Sequence, residues 1–428
     1  MKLIWPPQDQ SFWYLQRGPT KPLCTDISTQ VVIVGGGMAG LSAAQSFAAV
    51  GKQVVLLEQY YCGSGASGKS SGFITPNAEL SLHDFDMRYG KDVAKRIWDL
   101  ITGGVEKIRT NILTYNLDCD YQPQDTIVVA NDHKSLQALK DENKDLEQLG
   151  YKSVYYDERS IKNYVGSAGY FGGVRYEDTF GVDGYKYCQQ MKQILEQQGV
   201  HIYEETPVIE ITDRKVKTAQ ATITADHIIV CVDRFLPDLG LLNKEIYHAQ
   251  TFLMVSQVLT SEQLKTIFPE NNYMVWDTEF IYNYYRVTGQ GRLLLGGGSV
   301  FNTFDKNESY HNQYMYRKLT NYFAKKFPTL SIQFEQYWPG LIGLSKDIGP
   351  IAGTDKDRPS IYYISAAAGL PIAVGMGSYA AEHIVQGRTD LDPYLSPYRK
   401  FFIGRGLQAI LGTKAAFALS NLKAHYFP

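Results

Sequence analysis

Cysteine is scarce and unpatterned in this 428-residue chain. Cys24, Cys62, Cys119, Cys188 and Cys231 are odd in number, scattered, and nowhere spaced as CxxC, which argues against a disulfide framework and a thiolate metal site. A reducing compartment, the cytoplasm, is the expected home. Long apolar runs are missing as well. The stretch 401–419 comes nearest to a bilayer-spanning length, but Arg405 and Lys414 interrupt it, so it reads as a surface helix and no transmembrane segment is expected. The opening MKLIWPPQDQSFW has neither the apolar core nor the small-residue cleavage site of a secretory signal. No large excess of either charge is present; a net charge of −2 gives no global field for nucleic acid. The eight histidines are dispersed without an HExxH, and no metal site is expected. Nothing in the pattern sets an oligomeric state.

What the chain does have is aromatic residues: 31 Tyr and 19 Phe, of which some are expected to line a ligand pocket and most to pack. A Pro- and Gln-rich arm covers roughly the first 25 residues. Helical periodicity marks 91–115, 134–149, 184–198 and 309–326, while 200–232, 250–259, 280–287 and 291–300 alternate as strands. Strand 361–366 feeds a glycine-bearing loop and a helix ending at Gly387. Strand–helix–strand signals therefore sit at both ends, with β-rich sequence between. The expected fold is α/β (α+β overall): a Rossmann-like nucleotide-binding domain with a parallel sheet, and a second domain with a mixed or antiparallel sheet, both discontinuous. The division reads as 1–95, 160–245 and 338–428 for the first, and 96–159 and 246–337 for the second.

The strongest motif lies in 31–58. Val31 to Val34 form an apolar strand, and Gly35, Gly37 and Gly40 supply GxGxxG directly after it. Gly35 allows the tight turn, Gly37 lets the backbone approach a pyrophosphate, and Gly40 lets the helix pack on the strand. The helix N-terminus at Met38 and Ala39 offers N–H groups and a partial positive charge. A second apolar strand ends in Glu58-Gln59, where a carboxylate can accept hydrogen bonds from a ribose diol. Next comes YYCGSGASGKSSGFITP, a loop rich in glycine and serine.

GSGASGKSSG resembles the GASGRNGG loop of the D-amino-acid oxidase superfamily of FAD enzymes. Four further segments match in order. These are the region through Thr206-Pro207-Val208, the strand Ala225 to Asp233, the motif YWPGLIGLSKDIGPIAG, and IYYISAAAGL with the helix after it. The resemblance implies non-covalent FAD. It places around the cofactor the motif residues above together with Gly65, Ala66, Ser67, Ser70, Ser71, Gly72, Val208, Val232, Gly340 and the flavin-covering loop Ala367, Ala368, Gly369, Leu370 and Pro371. YNYYRVTGQGRLLLGGGS is most similar to amine and γ-glutamylputrescine oxidoreductase-like members. Tyr282, Tyr284, Tyr285 and Arg286, with Trp338, are accordingly the expected substrate walls. By strand alternation, Tyr282 and Tyr284 share a face and Tyr285 takes the other.

Three positions depart from the family pattern. Ile342 stands where oxidases of free α-amino acids carry a carboxylate-gripping arginine, Ala367-Ala368-Gly369 replaces Gly-His-Gly, and Lys69-Ser70-Ser71 replaces Arg-Asn-Gly. Ile342 argues against an α-amino acid substrate unless Arg286 takes over. The implied reaction is oxidation of a C–N bond in a small amine, by hydride transfer to flavin N5 and hydrolysis of the imine, with oxygen or another acceptor reoxidising the flavin. Two alternatives are a sarcosine- or amino-acid-type oxidase and an FAD-holding binding protein of the same fold.

Overall fold

The computed structural model describes residues 11–14, 20–77, 79–298, 308 and 311–426. Most of the N-terminal arm and the strand end at 299–300 lie outside them, as do residues 309–310 of the helix expected over 309–326; its described part is Gln313–Lys326.

Apolar strands dictate the first sheet. Ile27–Val34 runs parallel to Val54–Leu57 on one side and to Thr222–Val230 on the other. His201–Tyr203 extends the sheet beyond Val54–Leu57, and Ile361–Ser365 beyond Thr222–Val230, both in parallel. Ile351–Thr354 closes that edge antiparallel, while Val208–Thr212 and Lys215–Thr218 branch off Thr222–Val230. Val31 and Ile33 face one core with Val54 and Leu56, whereas Val32 and Val34 face another with Val55 and Leu57. Burial on both faces is why these strands are apolar without alternation.

Helices Met38–Ala49, Lys91–Tyr115 and Leu370–Gln386 lie together on one face, at distances only glycine allows. A Cβ on Gly104 would stand 1.9 Å from the Pro371 carbonyl oxygen, and one on Gly377 would stand 2.6 Å from that of Ala39. Lys107 spans the gap, donating to Ser42, Ser46 and Ser378.

The second sheet is mixed. From Phe334–Ser345 it runs through Ile246–Val258, Arg292–Gly298, Tyr284–Val287, Met274–Asp277, Thr126–Val129 and Gly172–Tyr176 to Ser153–Asp157. Only Met274–Asp277 with Thr126–Val129 is parallel; the other neighbours are antiparallel. One face packs under Gln313–Lys326 through Tyr285, Leu295 and Phe323. The other carries Leu253, Leu294 and Trp338 toward Tyr61 and Tyr185.

Strand membership departs from the sequence division in two places. Gly172–Tyr176, inside the stretch 160–245, belongs to the second sheet because its edges are taken by Thr126–Val129 and Ser153–Asp157. Phe334–Ser345 crosses the boundary at 338 as one strand, held along its length by Ile246–Val258. The helix Lys91–Tyr115, cut at 95 in that division, packs whole against Leu370–Gln386.

Candidate cofactor and substrate site

The strand Ile27–Val34 delivers Gly35 into a turn at φ +108°, where a Cβ would meet the Cys231 carbonyl oxygen at 2.6 Å. Val232 lies against the same turn, its Cγ1 3.4 Å from that Cβ position. Gly37 stands at the N-cap of the helix Met38–Ala49, where it has no side chain to cap with, and no acid lies in the first turn. The first-turn N–H groups and the helix dipole therefore favour an anion there. Ser67 faces this end: its Oγ accepts from the Met38 N–H at 3.1 Å and would stand 3.0 Å from a Cβ on Gly37. An acid-free helix end with glycine at its N-cap, a cradle that side chains would fill and an aligned hydroxyl fit a dinucleotide pyrophosphate.

Glu58 ends its strand buried, with Oε2 accepting from the Gly36 N–H (2.7 Å) and Oε1 from that of Tyr60 (2.9 Å). Burial raises its proton affinity, against those hydrogen bonds. Ser64 Oγ also donates to Oε1 at 3.3 Å, so Oε2 is the oxygen with a further lone pair for a ribose diol, on a carboxylate whose first duty is to shape the turn. Gln59 lies half-buried beside it, and Val208 opens the strand Val208–Thr212 on the branch of the first sheet.

Gly65 and Ala66 start the short helix Ala66–Lys69. Ser70 Oγ then donates to the Ser67 carbonyl and accepts from the Gly72 N–H. Gly72 is left-handed (φ +74°), and a Cβ there would sit 1.8 Å from the Val182 oxygen. The loop is bolted to the second sheet at two points: Trp338 Nε1 donates to the Lys69 carbonyl at 3.0 Å, and Arg286 Nε to that of Ser71 at 2.6 Å. Gly340 faces the same place, its Cβ position 4.0 Å from Lys69 Cβ and 3.7 Å from Thr251 Oγ1.

Across the cleft, the helix Leu370–Gln386 begins with Leu370 and Pro371 behind an exposed Gly369 at φ +137°. Ala367 and Ala368 are half-buried and neither has positive φ; the left-handed residue is Ala366, at φ +52°. The left-handed position thus falls just before the two alanines, and Asp233 holds it. Its carboxylate accepts from the N–H groups of Ala366 (3.0 Å) and Gly343 (2.7 Å), joining this loop to the second sheet.

The expected substrate walls separate. Tyr282 and Tyr284 share a face and Tyr285 takes the opposite one, fully buried against Phe323 and Phe327 with its hydroxyl 3.3 Å from that of Tyr170. Trp338 is fully buried too, under the serine loop. Arg286 is likewise sealed in; Nη2 donates to the Val182 carbonyl at 2.7 Å and Nη1 stands 4.0 Å from Asp120. Burial lowers its pKa to about 10. A guanidinium so committed to main-chain oxygens is a clamp between segments. It has no free fork for a substrate carboxylate.

Sequence reasoning missed Glu79, Trp276 and Phe73. Tyr282 donates its hydroxyl to Glu79 Oε1 at 2.7 Å. Trp276 lies against Tyr282 and stacks on Phe73, while Tyr284 meets Phe73 edge-on and hydrogen-bonds Thr251. The glycine row makes room: a Cβ on Gly296 would fall within 2.3 Å of the Tyr284 ring. Burial raises the Glu79 pKa, the Tyr282 hydrogen bond opposing it. The result is a carboxylate among aromatic rings on the face tied to the serine loop. No motif marks Glu79; only the distant strand bearing Tyr282 gives it a partner.

A separate cavity of about 550 Å³ opens beyond Arg286, lined by Trp13, Tyr121, Asp118, Asp120 and Asp183 among others. Asp183 is buried, and that burial pushes its pKa from 3.8 up to about 7, although its side chain caps the helix Gly184–Gln197. A raised carboxylate stabilises the fold below pH 3.8, and that contribution is lost as pH rises through about 7. Asp183→Asn keeps the cap. It is expected to flatten the fall in stability between pH 4 and pH 8, gaining at least about 1 kcal/mol over the native chain at the upper end. Urea unfolding across that range checks it.

A Rossmann-like half with a cradle for a dinucleotide, roofed by a mixed sheet, defines a nucleotide-cofactor oxidoreductase. The comparisons agree. The family model described as FAD dependent oxidoreductase (DAO) matches residues 30–383, and the chain belongs to that family, with FAD as its cofactor. It is 29% identical over 358 residues to γ-glutamylputrescine oxidoreductase of Escherichia coli K12, covering 82% of each chain. Among solved structures it is similar to L-proline dehydrogenase from P. horikoshii, with a TM-score of 0.73 at 17% identity, covering 87% of this chain and 98% of the other. Glycine oxidase from Geobacillus kaustophilus gives 0.73 at 17% identity, covering 88% and 100%.

Proposed function

We propose that this FAD-dependent oxidoreductase oxidises a C–N bond of a small amine. The observation that carries the reading is Glu79, a carboxylate held by Tyr282 beside Trp276 and Tyr284. Aromatic faces and a carboxylate together attract an ammonium group. FAD held in the Gly35–Ser67 cradle would supply the two-electron oxidation at the carbon next to nitrogen. The amine must first lose its proton, and a carboxylate with raised proton affinity can accept it. Low-dielectric rings also favour the neutral amine. Water then hydrolyses the imine to a carbonyl compound and an amine or ammonia, and oxygen or another acceptor takes the electrons.

Ile342 and Arg286 support an amine over an α-amino acid. Ile342 packs with Tyr247, Ala249 and Leu344, and Arg286 is engaged by backbone. Cys62 supports non-covalent FAD: buried against Gly36, its thiol is pushed up well above its ordinary pKa, so it remains a poor nucleophile. The five free thiols fit the cytoplasm.

The test is an anaerobic absorbance titration with monoamines, polyamines, N-methyl amino acids and free amino acids. Bleaching of the flavin by simple amines or polyamines supports the proposal; bleaching by free amino acids alone refutes it, and a flavin that none of them reduces favours the binding-protein reading. Glu79→Gln is expected to lower kcat/KM for amines about 100-fold. It should also remove the acid limb of the pH profile, because only deprotonated Glu79 can accept the proton.

A further inference from the structure

We propose that Glu142 is the positioning residue for Glu79, holding both ends of the short stretch that carries it. This role rests on the reading of Glu79 as the proton acceptor for an amine. Helix His133–Gln148 buries Leu136, Leu139 and Leu146 along one stripe. Glu142 falls within that stripe, about one turn from Leu139 and from Leu146, and is 2% exposed. A leucine there would pack as its neighbours do. A carboxylate in the same place loses its water, and only hydrogen bonds offset that loss.

Those hydrogen bonds lead to the two sides of Glu79. On one side, Oε1 accepts from the Leu82 N–H at 3.2 Å and Oε2 from the His83 N–H at 2.7 Å. These are the first two amides of helix Leu82–Tyr89, which no carbonyl of the helix itself can reach. Ser81 Oγ takes the third, from Asp84, so the start of the helix is fixed in direction as well as in place. Asp145, on the same helix as Glu142, adds a tie to His83 Nδ1 at 2.6 Å. On the other side, Tyr176 donates its hydroxyl to Glu142 Oε1 at 3.0 Å and is hydrogen-bonded by Asn77.

Glu79 thus lies between two anchors, Asn77 and Leu82, that converge on one carboxylate. Leu80 is buried between them and sets the depth of the stretch, but an apolar contact has no direction. The hydrogen bonds supply the direction, and the outcome is the 2.7 Å bond from Tyr282 to Glu79. Burial pushes the Glu142 pKa from 4.5 up to about 7. The neutral form is favoured to that extent, so an uncharged isostere should serve nearly as well here.

The test is an infrared titration of the Glu79 carboxyl in the full-length holoprotein, its band isolated by subtracting the spectra of Glu79→Gln. In the native protein burial holds that titration above the ordinary carboxylate range. Glu142→Ala should release Glu79 toward water and lower its midpoint by at least about one pH unit. Glu142→Gln should restore the native midpoint, since it keeps an acceptor for the His83 amide and a partner for Tyr176. Tyr176→Phe severs only the Asn77 side; a smaller shift in the same direction is expected, which tests the idea if Glu142→Ala fails to fold. Leu139→Ala is the structural control, expected to lower the melting midpoint yet leave the Glu79 titration in place. In amine oxidation Glu142→Ala should lower kcat/KM about tenfold, and by nothing further in a Glu79→Gln background. The proposal is overturned by a Glu79 titration unmoved in both Glu142→Ala and Tyr176→Phe, by an equal shift in Leu139→Ala, or by additive losses in the double variant. A harmless Glu79→Gln overturns the amine reading instead, and the infrared midpoint still decides whether Glu142 holds the stretch.

Discussion

Gly40→Ala should yield protein that holds no flavin. A methyl group there would lie 1.9 Å from the Gly35 carbonyl oxygen and 3.1 Å from its carbon. Neither partner can retreat. Gly35 is itself pressed on the Cys231 carbonyl, in a turn whose φ of +108° has no room for adjustment. The helix must lift from the strand, taking the first-turn N–H groups out of line with Ser67. The expected cost exceeds about 4 kcal/mol, the range of severe overpacking and backbone strain. The ratio of flavin to protein absorbance, with a thermal melt, checks it. Gly51→Ala is the control: it has φ +75° but nothing within 4 Å, so it should lose only about 1 kcal/mol and keep its flavin.

Arg286→Met should be nearly as severe, for a different reason. The guanidinium is fully buried and serves the carbonyls of Ser71 and Val182, with Asp120 at 4.0 Å. Removing it strands those acceptors and leaves Asp120 without its nearest cation, at about 3–5 kcal/mol. Arg286→Lys should recover only part, because one ammonium cannot span carbonyls that a planar fork reaches together. Denaturant unfolding gives the magnitude. Steady-state kinetics on the folded fraction separates the roles: a clamp changes stability with KM nearly constant, whereas a substrate contact would raise KM.

Both substitutions show what was legible in the chain. The turn around Gly40 could be read because strand, glycines and helix occur within ten residues and each imposes its own local constraint. The opposite facing of Tyr284 and Tyr285 followed from strand alternation alone. Arg286 could be located on its strand but not given its partners, since Ser71 lies 215 residues away and Val182 lies 104 away. Glu79 escaped for the same reason, its bond to Tyr282 bridging 203 residues. Gly172–Tyr176 lies in the stretch 160–245 that the sequence division gives to the first domain, yet it pairs in the second sheet, because nothing in its residues says which edge it joins. Asp233 looked like an ordinary strand end until the Ala366 and Gly343 amides converged on it.

The first sheet takes its strands from three stretches, within 27–57, 201–230 and 351–365. During synthesis the glycine turn is made well before the strand Thr222–Val230 that flanks it and the strand Ile361–Ser365 beyond. Until then Ile27–Val34, apolar on both faces, has no complete shelter. Parallel pairing across such separations closes large loops before any contact repays them, so folding is slow and the nascent chain exposes sticky strand edges for long periods. A polypeptide halted before residue 365 would lack the strand Ile361–Ser365 beside Thr222–Val230, and the cofactor could not rescue it. A complete shelter for the cofactor half therefore requires the strand made last, Ile361–Ser365.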